Sequence, residues 1–376
     1  MYSILFRVEH PSHMGVSGSR SGEYISYRNT MVLRFLLFVA ILVFHAGDRY
    51  GFQFPDIGYL CVAGFFFMSG YGLELSRCRK EGYMRTFLQR RVLGLMIQYW
   101  IIMVVTALIV LVLGGGPDRF VDDILKTFLR HPYWFVTELV VFYVVFYLAS
   151  LMGNDCSRMA AILVSVCILM LAMTEYFGTN LYLKSGACFF LGILWYSVHE
   201  RIESAMSRFW PVLILLSSAV LCLSLRNPYD PVDMAECSLT GAAFMILLLT
   251  MCSMDLRRSF PVHILVAVVG AVVCIHQMRA GQDSEGAAMM VFSAMASAVC
   301  DIRPSDHLQW LGALSLELYI MHFVFFDWLP LDDLMPASLA MVVVLVLSVA
   351  VAYPTNRICG YVISGYNDRL KARNMV

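Results

Sequence analysis

Charged residues are scarce in this chain. Asp, Glu, Lys and Arg make up 14% of its 376 residues, where a soluble domain carries about 25%. Apolar residues reach 60%, against roughly 45–50% in soluble domains. So little polar surface does not cover a water-soluble globule of this size, and lipid must be the solvent for most of it. An excess of one charge sign is also missing. The 27 Lys and Arg balance 27 Asp and Glu, so no global field points to a nucleic-acid partner. Paired cysteine motifs are absent as well. The 11 cysteines contain no CxxC, and Cys61, Cys167, Cys188, Cys222 and Cys274 lie inside apolar runs. They read as small membrane-core residues and indicate neither disulfides nor zinc or any other metal. Residues 1–28, with Glu9, His10 and His13, lack the apolar run of a signal peptide. They are expected to form a short cytoplasmic tail. No internal repeat, low-complexity linker or second soluble domain interrupts the rest of the chain.

What the chain does have is a series of long apolar runs. A membrane-spanning helix takes roughly 20 mostly apolar residues. Segments near 31–46, 57–75, 92–113, 132–151, 159–177, 183–199, 210–225, 237–254, 261–278, 286–300, 308–327 and 336–353 approach that length. The basic loop RCRKEGYMRTFLQRR, with Arg77, Arg79, Lys80, Arg85, Arg90 and Arg91, marks a cytoplasmic side. Alternate loops carry Arg201 and Arg208, then Arg257 and Arg258, then Arg357, Arg369, Lys371 and Arg373, while the acidic loops 226–236 and 327–336 fall between them. The expected fold is therefore all-α: a polytopic transmembrane helix bundle of about 10–12 spans, one of the short segments being re-entrant at the lower count. Both termini face the cytoplasm. The tail 1–28 precedes a membrane domain over 29–354, and a basic cytoplasmic tail occupies 355–376.

Ionisable residues inside spans are costly and usually face the bundle interior or a wet cavity. The first span reads RFLLFVAILVFHAG from Arg34 to Gly47. On helical geometry Arg34 and His45 differ by about 20° in direction and about 16 Å in depth, so they share a face at opposite ends. Taken singly, Arg34 reads equally as a snorkelling anchor and His45 as a histidine at a helix end. In FFFMSGYGLELS (65–76) the small residues Ser69, Gly70 and Gly72 permit close helix approach. Tyr71 is an interfacial aromatic or a pocket hydroxyl, and Glu74 a solvated or paired charge at the cytoplasmic rim. Glu138 lies about one turn inside the fourth segment, where a carboxylate needs a cation or a cavity. Tyr133, Trp134 and Phe135 fit an interface belt. Glu317 and His322 fall in the eleventh segment on different helix faces, and His322 either packs two helices or serves a site. Glu175, Lys184, His263 and His276 lie near segment ends and read as structural.

Five blocks in order carry a family resemblance over most of 29–354. They are the Arg34-to-His45 spacing, FFFMSGYGL, FLQRR at 87–91, WFVTELVVFY at 134–143 and LGALSLELYIMH at 311–322. With them the chain resembles the acyltransferase 3 family of membrane acyltransferases, which modify cell-surface carbohydrates. Gly94 and Ile97 stand where the family often has a further Arg and a Pro, and no fused esterase-like domain is present. The resemblance implies an O-acetyltransferase of the cell envelope, in a bacterial cytoplasmic membrane. It would move acetyl from acetyl-CoA, a donor substrate and not a bound cofactor, to a hydroxyl of a glycan or lipid-linked glycan. It carries His45, Arg34 and Glu138 over as catalytic residues, Arg34, Arg90 and Arg91 as the CoA-binding set, and Ser69, Tyr71, Trp134 and His322 as substrate-binding residues. Histidine titrates near neutrality, so His45 suits a base that deprotonates the acceptor or a transient acyl carrier. Glu138 would orient it or pair with Arg34.

Two other readings stand beside this one. A carrier of a carbohydrate or small metabolite also has many spans and internal charges, though carriers often show repeats and paired broken helices. A family member using succinyl or another acyl donor fits the same motifs.

Overall fold

The computed structural model describes residues 25–116, 118, 133–178, 181–223, 233–301, 306–331 and 333–373. Among them there is no strand. The helices in chain order are α1 Tyr27–Tyr50, α2 Gly58–Arg79, α3 Leu93–Val110, α4 Trp134–Ala149, α5 Asp155–Phe177, α6 Leu181–Ser185, α7 Ala187–Ser197, α8 His199–Leu223, α9 Asp233–Cys252, α10 Leu256–Arg279, α11 Glu285–Asp301, α12 Asp306–Ala313, α13 Ser315–Trp328 and α14 Ala337–Arg373. The protein is an all-α polytopic membrane bundle.

Local sequence sets the helix ends. The Ser26 side chain accepts a hydrogen bond from the Asn29 N–H and caps α1, and Gly51 in the left-handed region (φ 71°) ends it. Asn154 and Asp255 cap α5 and α10 in the same way. α1 begins at Tyr27, so the expected tail over 1–28 overlaps its first turn, and residues 1–24 of that tail lie outside the described residues. At the other end α14 runs through Pro354 to Arg373, so the expected basic tail is largely a continuation of the last helix.

Among the described residues eight helices are long and apolar enough to cross a membrane, and the bent pair α12–α13, folded by 70° at Leu314, makes a ninth if it is one broken span. The other segments expected to span are shorter. α4 has 16 residues, α11 has 17, and the run at 183–199 is split into α6 and α7 at Gly186. This split run lies along α2 in the opposite direction. Its Lys184 pairs with Asp56, just before α2 (3.7 Å), and its Ser197 bonds Glu74 near the end of α2 (3.5 Å). The backbones of α2 and α7 nearly touch, because Gly70 sits on the Phe189 carbonyl and Gly192 on the Phe67 carbonyl. α2 is the most enclosed of the eight spanning helices.

Loop ends meet as an alternating bundle requires. Arg77 in the last turn of α2 reaches Asp155, the first residue of α5 (3.6 Å), and Leu256 N–H reaches Asp301 (3.2 Å). At the opposite end residues 53–56 meet residues 281–285 around one cavity.

Candidate active site

α1 and α13 run side by side in the same direction. Arg34 lines a small cavity with Ser315 and Tyr319. Further along, Phe38 meets His322 at 5.7 Å between ring centroids, His45 meets His322 at 5.4 Å, and Tyr50 meets Phe326 at 5.8 Å. The spacing that puts Arg34 and His45 on one face of α1 therefore points both at α13.

Arg34 is buried, at 6% exposure. Its electrostatic neighbours are Tyr143, Glu317 and Tyr27. Glu317 is fully buried, and its Oε1 accepts hydrogen bonds from Gln98 Nε2 and Asn356 Nδ2, both 2.8 Å. Its Oε2 accepts none among the described residues and is left to the charge of Arg34. A buried carboxylate and guanidinium in mutual reach offset part of each other's desolvation cost. Glu317 is thus the carboxylate within electrostatic reach of Arg34.

Glu138 does not take that place. It is fully buried, with Oε1 directly over Gly186 and with Phe142 and Met170 completing the wall. Neither of its oxygens has a hydrogen-bond partner among the described residues. It meets neither Arg34 nor His45 in the way its place in the motif suggested, because α4 turns this position toward α5 and the break at Gly186, while Phe135 and Leu139 face the Arg34 cavity.

The two adjacent arginines also part company in the π-helical turn Leu88–Val92. Arg90 is exposed. Arg91 is buried, donates to the Tyr83 hydroxyl at 2.8 Å and stacks over that ring at 5.5 Å. The fully buried Tyr143 lies within electrostatic reach of both Arg91 and Arg34 and shares a hydrogen bond with Ser69. Arg91, Tyr143, Ser69 and Arg34 so form a polar track from the basic end of the bundle to its middle.

The cavity at the end of this track measures ≈ 30 Å³ and is lined by Arg34, Ser69, Ser315, Tyr319 and apolar side chains. That is room for one or two waters. Tyr319 leads onward to His322, 6.1 Å away between ring centroids. His322 is fully buried, while His45 is half-buried at the far end. Phe44 and Phe323 flank the His45 ring at 4.8 and 4.5 Å. Asp56 lies within its electrostatic reach.

Asp56 also lines the second cavity, of ≈ 250 Å³, with Gln53, Phe54, Gln282, Asp283, Ser284 and Glu285. The remaining expected substrate residues are scattered. Ser69 faces the Arg34 cavity, Tyr71 packs edge-on against Tyr196 at 5.4 Å, and Trp134 packs edge-on against Tyr182 at 6.1 Å.

Glu74 is the paired charge of the two expected alternatives, and it is buried. Arg158 grips it with two nitrogens at 3.0 and 2.9 Å, and Arg77 adds bonds of 3.1 and 2.7 Å. Sequence reading missed Arg158 because it begins a helix, where a cation reads as a surface anchor. It missed Tyr143 because a tyrosine in an apolar run looks like packing.

A family model described as an acyltransferase domain matches residues 31–357. No curated protein and no solved structure matches the chain.

Proposed function

Because the chain belongs to the acyltransferase 3 family and is a membrane acyltransferase, we propose that it moves acetyl from acetyl-CoA to a hydroxyl of a cell-surface or lipid-linked carbohydrate. The donor enters at the Arg91 end of the bundle and the acceptor at the His45 end. The observation that carries this reading is the connection between the two ends: Arg34 and His45 both face α13, one at the small central cavity and one beyond His322.

Exposed Arg90 offers a mobile cation for CoA phosphates, and Arg34 a buried one deeper along the same path. His45 is the histidine with access to solvent, so it meets the acceptor. It takes the hydroxyl proton as the oxygen attacks the thioester carbonyl, the C–S bond breaks, and the thiolate leaves with a proton. Transient acylation of His45 followed by transfer to the hydroxyl gives the same products. The carboxylates and amides around the ≈ 250 Å³ cavity near Asp56, with the exposed ring of Phe54, suit the hydroxyls and apolar face of a sugar. Orientation with the Arg91 end in the cytoplasm of a bacterial cell rests on the Lys/Arg bias of that end.

The test uses the protein in proteoliposomes with labelled acetyl-CoA inside and octyl β-glucoside as hydroxyl acceptor. Label should pass to the glucoside and free CoA should appear. A carrier would leave acetyl-CoA intact, and succinyl-CoA turned over in preference to acetyl-CoA would change the donor.

A further inference from the structure

We propose that His322 is the proton partner of His45, receiving at Nε2 the proton that His45 gives up and returning it to His45 as the thiolate leaves with the acceptor's proton. The proposal rests on the acyl-transfer reading and gives a part to a residue whose expected role was substrate contact.

The tautomer of His322 is set by its own helix. Its Nδ1 lies 3.1 Å from the Leu318 carbonyl one turn earlier. A carbonyl only accepts, so Nδ1 carries the hydrogen and Nε2 is left as the acceptor. That Nε2 is buried and has no hydrogen-bond partner among the described residues. The neighbouring rings are Phe38, Phe323, Phe326 and Tyr319 at 5.7, 4.1, 5.9 and 6.1 Å, and three of these four offer no hydrogen at all. A sealed lone pair without a donor is unfavourable. The rings that carry a donor are Tyr319 and His45, and His45 is the nearer, 5.4 Å away between centroids and tilted by 35°. The two rings share no hydrogen bond in this structure; rotation of the half-buried His45 ring turns one of its nitrogens toward Nε2, and such contacts often tighten when substrate binds.

Depth supports the direction of transfer. His322 also touches Phe38, which lies inward of His45 on α1, and Tyr319 links it to the Arg34 cavity. His322 therefore stands between the half-buried His45 and the side from which a thioester would arrive. The acceptor O–H proton passes to the outward nitrogen of His45, while the proton on its other nitrogen passes to His322 Nε2. The acceptor oxygen forms the C–O bond and the C–S bond breaks; the thiolate takes the proton from the outward nitrogen of His45 as His322 Nε2 returns its proton to the other nitrogen, which restores both tautomers. No charge, proton or electron pair is left over. His322 acts through His45 and is a positioning and relay residue.

The experiment uses the full chain in nanodiscs with ¹⁵N-histidine, the His322 signals being identified by their loss in His322→Gln. The spectrum should hold a protonated Nδ1 and a hydrogen-bonded Nε2, and His45→Phe should move that Nε2 signal to the free-acceptor position. An Nε2 signal indifferent to His45→Phe overturns the proposal. Turnover supplies the second arm, with acetyl-CoA and octyl β-glucoside. His322→Gln should lower kcat by about 10²-fold or more, leave KM for acetyl-CoA near that of wild type, and turn a bowed dependence of rate on D₂O fraction into a straight line. Turnover of His322→Gln close to wild type overturns the relay. If wild type itself consumes no acetyl-CoA, the acyl-transfer reading fails on that result, while the spectra still decide whether the two histidines are paired.

Discussion

His45 of α1 and His322 of α13 hold their rings 5.4 Å apart on helices that run in the same direction. The half-buried ring is the outer one, and the buried ring lies on the Arg34 side. This relationship orders the other polar groups by depth, from Arg91 through Tyr143 and Arg34 to the histidines and then to Asp56.

Arg34 and Glu317 should behave as a coupled pair. Arg34→Gln and Glu317→Gln should each lower the unfolding temperature and the transfer rate. The double variant should be less damaged than the sum, with a coupling of about 0.5–3 kcal/mol by double-mutant cycle. Simple additivity would place the two groups out of contact.

Glu74 and Arg158 should dominate the stability of the basic end. Removing one partner of a buried ion pair costs about 3–5 kcal/mol, so Arg158→Ala should lower detergent-solubilised stability by that order. Arg77 is 26% exposed, and Arg77→Ala should cost about 1 kcal/mol or less. Equal losses in the two variants would mean that Arg158 is not the main anchor.

Gly70 and Gly192 set the separation of α2 and α7. A methyl group at either would strike a backbone carbonyl of the other helix. Gly70→Ala or Gly192→Ala should destabilise by about 1–3 kcal/mol through overpacking. Gly360, with open space around it in α14, is the control. Gly360→Ala should be neutral or stabilising by up to about 1 kcal/mol. Thermal unfolding of the three variants checks the order.

Glu138 gives a sharper contrast. Its carboxyl lies against Gly186 and lacks a hydrogen-bond partner among the described residues. Glu138→Gln should fold with wild-type stability and keep most of its transfer rate. A loss on the scale of a missing base, about 10²–10⁴-fold, would return Glu138 to the reaction.

Much of the architecture was legible in composition and loop charge, because lipid leaves no alternative to helices for long apolar runs. The common face of Arg34 and His45 was legible too, since it depends only on helical periodicity. The partners were not. Which carboxylate comes within electrostatic reach of Arg34 depends on how α13 and α4 are rotated against α1, which the sequence motif around Glu138 does not reveal. His322 was visible as an odd residue in an apolar run, but its closeness to His45 needs the bend at Leu314 that sets the course of α13. Span counting also blurred where helices are short or broken, as at Gly186, since apolar length alone does not reveal a break.

The decisive measurement is acyl transfer by His45→Ala in proteoliposomes, with labelled acetyl-CoA on the Arg91 side and octyl β-glucoside on the other. Wild type should label the glucoside, and His45→Ala, equally folded and equally inserted, should fall by about 10²-fold or more. Transfer by His45→Ala at the wild-type rate would contradict a reaction centred on His45.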